Sequence, residues 1–166
     1  VYPCLYGWPS KYSPIPAELA SGLALNYWGQ GADGIYLFNW FPHTKNNSES
    51  TGPYQARLLK QLGDVNTLRR QRQQVMFAVD RGQPHRDYPH NWLHCVLPAA
   101  LTTGKPLQVT LRAYDRFAKK DQLQLEIEVE NLHAEDQVSV QLNGRPVQGW
   151  SRQGPKRLVA SVKAAQ

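Results

Sequence analysis

The chain has 166 residues, of which 41% are hydrophobic and 19% are charged, and its formal net charge is +6. This composition excludes a disordered or fibrous chain, and the length suits one domain or two small ones. No apolar run reaches the roughly 20 residues that span a bilayer, so we expect no membrane partner.

The positive charge is spread evenly along the chain. Residues 1–95 hold nine Lys and Arg against six acidic residues, and residues 96–166 hold ten against seven. A nucleic-acid-binding surface concentrates its charge in a stripe, and the densest cluster, LRRQRQQ at 68–74, has no interleaved aromatic residues. We therefore expect a solvated polar face and no nucleic-acid partner. The competing hypothesis, a basic module for anionic surfaces, predicts a steep loss of affinity with salt.

The first 80 residues alternate between strand-like and helix-like patterns. Val1–Trp8 predicts a short buried strand, and Ala17–Gly29 has apolar residues at helical spacing. Gly34–Phe41 is a nearly continuous apolar run, typical of a strand buried on both faces of a parallel sheet. Pro53–Leu62 predicts a second helix, and Val75–Val79 is a candidate for one more strand. This order indicates β/α units with a parallel sheet, and two such units need a larger α/β body to be buried.

Residues 96–166 show the period-two alternation of antiparallel strands. We predict four strands, at 108–115, 123–131, 137–144 and 157–164, with Asn143-Gly144 as the turn of a hairpin. The chain is therefore expected to be an α+β protein in two parts. A partial (β/α) barrel segment at 1–80 is followed by a linker at 81–95 and by an antiparallel β-sandwich at 96–166.

Candidate binding residues follow the two predicted parallel strands. Tyr6 and Trp8 come after the first strand, and Asn39, Trp40 and His43 come after the second. Ligands of α/β barrels and open parallel sheets bind at the carboxyl ends of the strands, so these side chains should be neighbours. Aromatic faces pack against the C–H faces of a sugar ring, and amides bind its hydroxyl groups, so carbohydrate is the predicted partner. The alternative is that the aromatic residues only fill the space between sheet and helices.

The run ELASGLALNYWGQGADGIYLFNWF at 18–41 resembles the last turns of a glycoside-hydrolase-like TIM barrel. The downstream LGDVNTLRR, Leu97-Pro98 and DQVSVQLNG resemble the small β-sandwich domain that follows the barrel in bacterial proteins of this type. By this resemblance, Val1–Trp8 is the seventh barrel strand and Gly34–Trp40 the eighth. The remainder of the parent barrel is then a partner of this segment.

The sequence departs from that resemblance at the catalytic position. Many such enzymes hold a nucleophilic carboxylate after the seventh strand, where this chain has Tyr6-Gly7-Trp8. Glycosidases need two carboxylates, and the nearby Glu18, Asp33 and Glu49 are better explained as a helix-start acid, a turn residue and part of a solvated loop. The catalytic residues are therefore unknown and are expected upstream of residue 1.

A complete (β/α)8 barrel needs roughly 200 residues or more, so the resemblance implies a fragment. The start at Val1, which is not Met, agrees with a fragment or a processed product. We expect a fragment of a glycoside-hydrolase-like protein that acts on or binds carbohydrate, with this chain alone inactive. The alternative is a non-catalytic carbohydrate-binding or structural β-sandwich on an inactive barrel remnant.

No cofactor or metal is predicted. The chain has no P-loop and no G-x-G-x-x-G motif, and the His and Asp residues of HRDYPHNWLH at 85–94 match no compact metal-ligand spacing. The two cysteines, Cys4 and Cys95, are too few for a disulfide framework or a zinc site. They leave the compartment open, with a secreted or periplasmic location as one option.

Overall fold

The computed structural model describes residues 1–7, 15–40, 52–71, 74–79 and 97–163. The chain is a mixed α+β protein with two compact units, Val1–Asp115 and Arg116–Gln166. Residues 97–115 therefore belong to the first unit, whereas the sequence assigned them to the second. The predicted linker at 81–95 lies outside the described residues. No sheet among the described residues closes into a barrel, so the partial barrel and the sandwich are not established by this topology.

The described residues of the first unit form three helices and a two-stranded parallel sheet. Its elements, in chain order, are β1 (Cys4–Tyr6), α1 (Ala17–Gly29), β2 (Tyr36–Phe38), α2 (Gly52–Leu62) and α3 (Val65–Gln71). The first two helices match their predicted bounds to within one residue. β1 pairs with β2 in parallel, with Leu5 beside Leu37, and α1 connects them. The predicted parallel pair is thus confirmed, although both strands are shorter than expected.

The two strands are buried on one face only. Leu5 is fully buried and Leu37 partly so, because their side chains lie on the face that packs with the helices. Tyr6, Tyr36 and Phe38 alternate to the other face and are exposed. The prediction that the strands are buried on both faces is wrong for the described chain, because the described helices cover one face of the sheet.

The core of this unit forms around α1. It consists of aliphatic side chains from the sheet and all three helices: Leu5, Ile15, Leu19, Ala20, Ala24, Leu25, Leu58, Leu62 and Leu68. Small residues of α1 let other segments approach closely, and a Cβ on Gly22 would lie 1.9 Å from the Met76 carbonyl oxygen. The Met76 N–H donates to the Glu18 carbonyl oxygen at 2.9 Å. Residues 74–79 therefore lie against α1 and do not form the predicted strand Val75–Val79.

A second segment, Arg112–Asp115, crosses the C-terminal end of α1. The Asn26 side chain donates to the Arg112 carbonyl oxygen and accepts from the Tyr114 N–H, each at 2.9 Å. The Tyr114 side chain packs directly against Gly29. A Cβ added to Gly29 would lie only 2.3 Å from the Cβ of Tyr114, so a larger residue would not fit there. The prediction of a strand at 108–115 is wrong, and at Arg112 and Tyr114 the Asn26 amide bonds the backbone groups that a neighbouring strand would have bonded.

In the second unit, residues 116–163 are described, and they form five short antiparallel strands. They are β3 (Leu123–Glu128), β4 (Gln141–Leu142), β5 (Arg145–Pro146), β6 (Ser151–Gln153) and β7 (Arg157–Val162). β7 lies between β3 and β6, and, among the strands described, β4 pairs only with β5. The predicted strands at 123–131 and 157–164 are confirmed in shortened form, and that at 137–144 is reduced to β4.

The alternation predicted for β3 is confirmed. Leu123, Leu125 and Ile127 are partly buried, whereas the intervening side chains are exposed. The three apolar residues stand beside Val162, Ala160 and Leu158 of β7 in that order, so one face of the sheet is apolar. On the polar face, the Arg157 guanidinium forms a salt bridge with Glu126.

The predicted Asn143-Gly144 hairpin is also confirmed. Leu142 pairs with Arg145 across the two turn residues, whose φ angles are 51° and 78°. Positive φ at both central positions defines a type I′ turn, whose twist matches that of the flanking strands. The Val147 N–H donates to the Val140 carbonyl oxygen at 2.9 Å and extends the pairing beyond β4 and β5.

Candidate functional site

The carboxyl ends of β1 and β2 bring together two of the predicted binding residues. The Asn39 Nδ2 donates to the Tyr6 hydroxyl oxygen at 2.9 Å. This contact follows from the register, in which Tyr6 stands beside Phe38 and Asn39 is the next residue. The expectation that the two strand ends are neighbours is confirmed for Tyr6 and Asn39, whereas their binding role stays a prediction.

An aromatic surface adjoins this hydrogen bond. The Tyr6 and Phe38 rings have centroids 5.2 Å apart and planes inclined by 43°. Both are accessible, with 39% of Tyr6 and 46% of Phe38 exposed. Phe38 was not among the predicted site residues. Its position was readable from the sequence, because residue parity along GIYLFNWF puts Phe38 on the same face as Tyr36.

Gly7 fixes the distance between the two strand ends. Its N–H donates to the Phe38 carbonyl oxygen at 2.9 Å, which continues the parallel pairing past Tyr6. A Cβ at Gly7 would lie 2.5 Å from the Asn39 carbonyl oxygen and 3.0 Å from the Trp40 ring. Asn39 itself has φ of 50°, a left-handed conformation that Asn adopts more readily than most residues. The backbone around Asn39 is thus closely fitted against β1.

The other three predicted residues have different outcomes. Trp40 is partly buried and packs against the hydrophobic core. This contact agrees with the alternative interpretation, in which the aromatic residues fill the space between the sheet and the helices. Trp8 and His43 lie outside the described residues. The described part of the candidate site therefore consists of Tyr6, Phe38 and Asn39.

Cys4 and Tyr27 lie at the opposite end of β1. The Tyr27 hydroxyl donates to the Cys4 carbonyl oxygen at 3.0 Å. Burial raises the pKa of the Cys4 thiol, and burial together with the nearby Cys4 raises the pKa of Tyr27. A thiol with a raised pKa holds less thiolate at neutral pH, which is the reverse of what a catalytic cysteine needs.

The described residues offer one buried carboxylate in the first unit that the sequence did not suggest. The Asp115 side chain is 3% exposed, and its Oδ1 lies 3.5 Å from Arg69 Nε. Asp115 follows Tyr114, which packs on the last residue of α1. Because α1 returns the chain from the carboxyl end of β1 to the start of β2, Asp115 belongs to the edge opposite Tyr6 and Asn39. We assign it to the stability of that edge.

Within the described residues, the remaining features of the chain give no second candidate. No group of three or more metal-ligating side chains occurs there, and no described helix has the length and hydropathy to cross a membrane. A shallow open groove of about 340 Å³ in the second unit is lined by Glu130, Asn131, Leu132, His133, Pro155 and Lys156. Trp150, the aromatic residue near the hairpin, is partly buried and donates to the Val147 carbonyl oxygen at 3.1 Å.

Comparison with models of protein families, with curated proteins and with solved structures gives no match for this chain.

Proposed function

We propose that this chain is part of a glycoside-hydrolase-like protein and binds carbohydrate at the carboxyl ends of β1 and β2. The observation that carries this proposal is the hydrogen bond between Asn39 Nδ2 and the Tyr6 hydroxyl, beside the exposed Phe38 ring. Polar groups next to an accessible aromatic surface are the two elements that sugar recognition needs.

The proposal includes a finer description of the fold. In it, the β1–α1–β2–α2 segment is part of a (β/α) barrel, and the antiparallel strands of residues 116–166 are part of a β-sandwich. The parallel pairing of β1 with β2 supports the barrel segment. So does the alternation of side chains, with Leu5 toward the helices and Tyr6 away from them, because barrel strands direct alternate residues inward and outward.

Binding has more support than hydrolysis for the described site. Hydrolysis of a glycosidic bond uses a pair of carboxylic acids that flank the bond. The described residues at this edge are Tyr6, Gly7, Phe38, Asn39 and Trp40, and none of them carries a carboxyl group. Hydrolysis by the parent protein would therefore use carboxylates from outside this group.

A glycan array tests the proposal on the whole 166-residue chain. We expect the wild-type chain to retain a set of glycans and the Asn39→Gly variant to lose them. Glycine accepts the left-handed backbone at this position, so the variant removes the amide and preserves the fold.

Asn131→Gly is the matched control. Asn131 also has a left-handed backbone, with φ of 57°, but it lies in the second unit. Circular dichroism establishes that both variants are folded. A folded wild-type chain that retains no glycan contradicts the proposal, and so does an Asn39→Gly variant that binds as the wild type does.

A further inference from the structure

We propose that Tyr6 and Asn39 form a specificity-determining pair that recognises two adjacent hydroxyl groups of a pyranose ring. This inference rests on the proposed carbohydrate function and names the feature of the sugar that the site recognises. It follows from the donors and acceptors that remain after the two side chains have bonded to each other.

The Tyr6–Asn39 hydrogen bond uses only part of the capacity of each group. A tyrosine hydroxyl has one hydrogen to donate, and an asparagine amide has an acceptor oxygen besides its N–H donors. In the described part of the chain, the two side chains form no further hydrogen bond. The pair therefore keeps two donors, the Tyr6 O–H and the second N–H of Asn39, and one acceptor group, the Asn39 Oδ1. If the amide is turned over, the two residues exchange roles and still keep a donor and an acceptor.

A donor next to an acceptor matches two hydroxyl groups on adjacent ring carbons. One hydroxyl accepts from Tyr6, and its neighbour donates to Asn39. The hydrogen bond between Asn39 Nδ2 and the Tyr6 hydroxyl oxygen, 2.9 Å long, keeps the free donor and the free acceptor close together, so the pair suits hydroxyl groups on adjacent carbons better than equatorial hydroxyl groups that are further apart. The fixed spacing gives the pair its selectivity for neighbouring hydroxyl groups.

The aromatic surface determines where the rest of the sugar ring lies. The Tyr6 and Phe38 rings are adjacent and accessible, so they offer an apolar surface beside the hydrogen-bonding pair. The C–H groups of a pyranose that are next to the recognised hydroxyl groups can pack on this surface. The site therefore combines one polar contact pair with one apolar contact area, both built from β1, β2 and the residue that follows β2.

Deoxy sugars test this inference with the full chain. The probes are the methyl pyranosides of glucose, galactose and mannose, each compared with its 3-deoxy counterpart, which has no two adjacent ring hydroxyl groups. Binding is measured by titration in an NMR spectrometer. We expect each 3-deoxy sugar to bind about tenfold more weakly than its parent, since the missing hydroxyl removes one of the two hydrogen bonds and leaves its partner on the protein unpaired.

The Tyr6→Phe variant gives a second readout. It keeps the ring and removes the hydroxyl, so we expect the parent sugars to bind it about as weakly as the 3-deoxy sugars bind the wild type. The 3-deoxy sugars, which have already lost one of the two hydrogen bonds, should lose less affinity in this variant than their parents do. Tyr36→Phe is the matched control, because Tyr36 is exposed on the same face of the sheet.

Three results would overturn the inference. Equal binding of parent and 3-deoxy sugars to the wild type would do so while leaving carbohydrate binding intact. An equal effect of Tyr6→Phe and Tyr36→Phe would show that the hydroxyl at Tyr6 has no special part. Failure of every pyranoside to bind a folded wild-type chain would overturn the proposed function together with the inference.

Discussion

Gly7 has no room for a side chain. A Cβ there would lie 2.5 Å from the Asn39 carbonyl oxygen, which belongs to backbone and cannot rotate away. Its neighbours also form the candidate site, since Tyr6 precedes it and Asn39 lies across from it. One glycine therefore determines how closely the two strand ends approach.

We expect Gly7→Ala to destabilise the chain by about 1–3 kcal/mol, the usual cost of forcing an extra methyl group into a packed region. Denaturation in urea, followed by circular dichroism, measures the free energy of unfolding. Gly63→Ala is the matched control, because no atom lies within 4 Å of a Cβ built there. Equal stability of the two variants would contradict the close packing at Gly7.

The residues around this site differ in how well their positions could be predicted from the sequence. Tyr6 and Asn39 could be identified because both follow strand-like runs, and the edge of a parallel sheet collects such residues. The packing of Trp40 on the core could not be predicted, because an aromatic residue after a strand is equally typical of a binding surface and of a core. Only the position of the ring distinguishes the two.

Of the three described helices, α3 was not predicted from the sequence. Its N-terminus carries Asp64, whose carboxylate accepts from the Thr67 N–H at 2.6 Å. An Asp that bonds the N–H three residues later is a typical helix N-cap, so this signal was present in the sequence as Asp64-Val65-Asn66-Thr67. The polar run at 68–74 has few apolar residues, so the helical period of this short helix was not evident.

This N-cap predicts a pH dependence of stability. Hydrogen bonds from the Thr67 side chain, and then from its backbone N–H, hold the pKa of Asp64 below its ordinary value. Because the folded pKa is lowered, the ionised group stabilises the chain above the unfolded pKa of about 3.9. This contribution is lost as the pH falls through the folded pKa.

Asp64→Asn removes the charge and keeps an oxygen that can accept from Thr67. We therefore expect the wild type to be more stable than the variant at pH 6, with the difference shrinking as the pH falls toward 3. Urea denaturation across this range measures it. Asn66→Ala, on the same helix, adds or removes no titrating group, so its effect should be constant with pH. A difference for Asp64→Asn that is equally constant would contradict the N-cap assignment.

At the scale of the whole chain, parts distant in sequence are joined by a few polar side chains. In the second unit, the Arg152 guanidinium donates to the carbonyl oxygens of Leu132, His133 and Pro155. These carbonyl groups belong to two separate loops. A single side chain thus ties both loops to β6.

We expect Arg152→Met to lower the free energy of unfolding by about 1–2 kcal/mol, because three carbonyl groups lose a charged donor. Arg152→Lys should recover only part of this loss, since an ammonium group lacks the planar fork that reaches several acceptors. Hydrogen exchange of the full chain measures the effect on β6 and β7. Unchanged protection in Arg152→Met would contradict this role.

Most of the local structure could be predicted, and the long-range arrangement could be predicted only in part. α1, the parallel pairing of β1 with β2 and the Asn143-Gly144 hairpin follow from apolar periodicity and turn chemistry. The position of residues 108–115 does not follow from these local patterns. Their alternation favours a strand, but Asn26 and Gly29 provide a partner that lies far away in the sequence.

The type I′ turn also bears on how fast the second unit acquires its structure. Leu142 and Arg145 meet across only two intervening residues, and hairpins of this kind form in about 1–10 μs. β3 and β7 must instead bring Leu123 to Val162, and the conformational entropy of closing that longer loop is lost before their contacts form. We therefore expect the hairpin to be present in the earliest folding ensemble and the pairing of β3 with β7 to be the slower step.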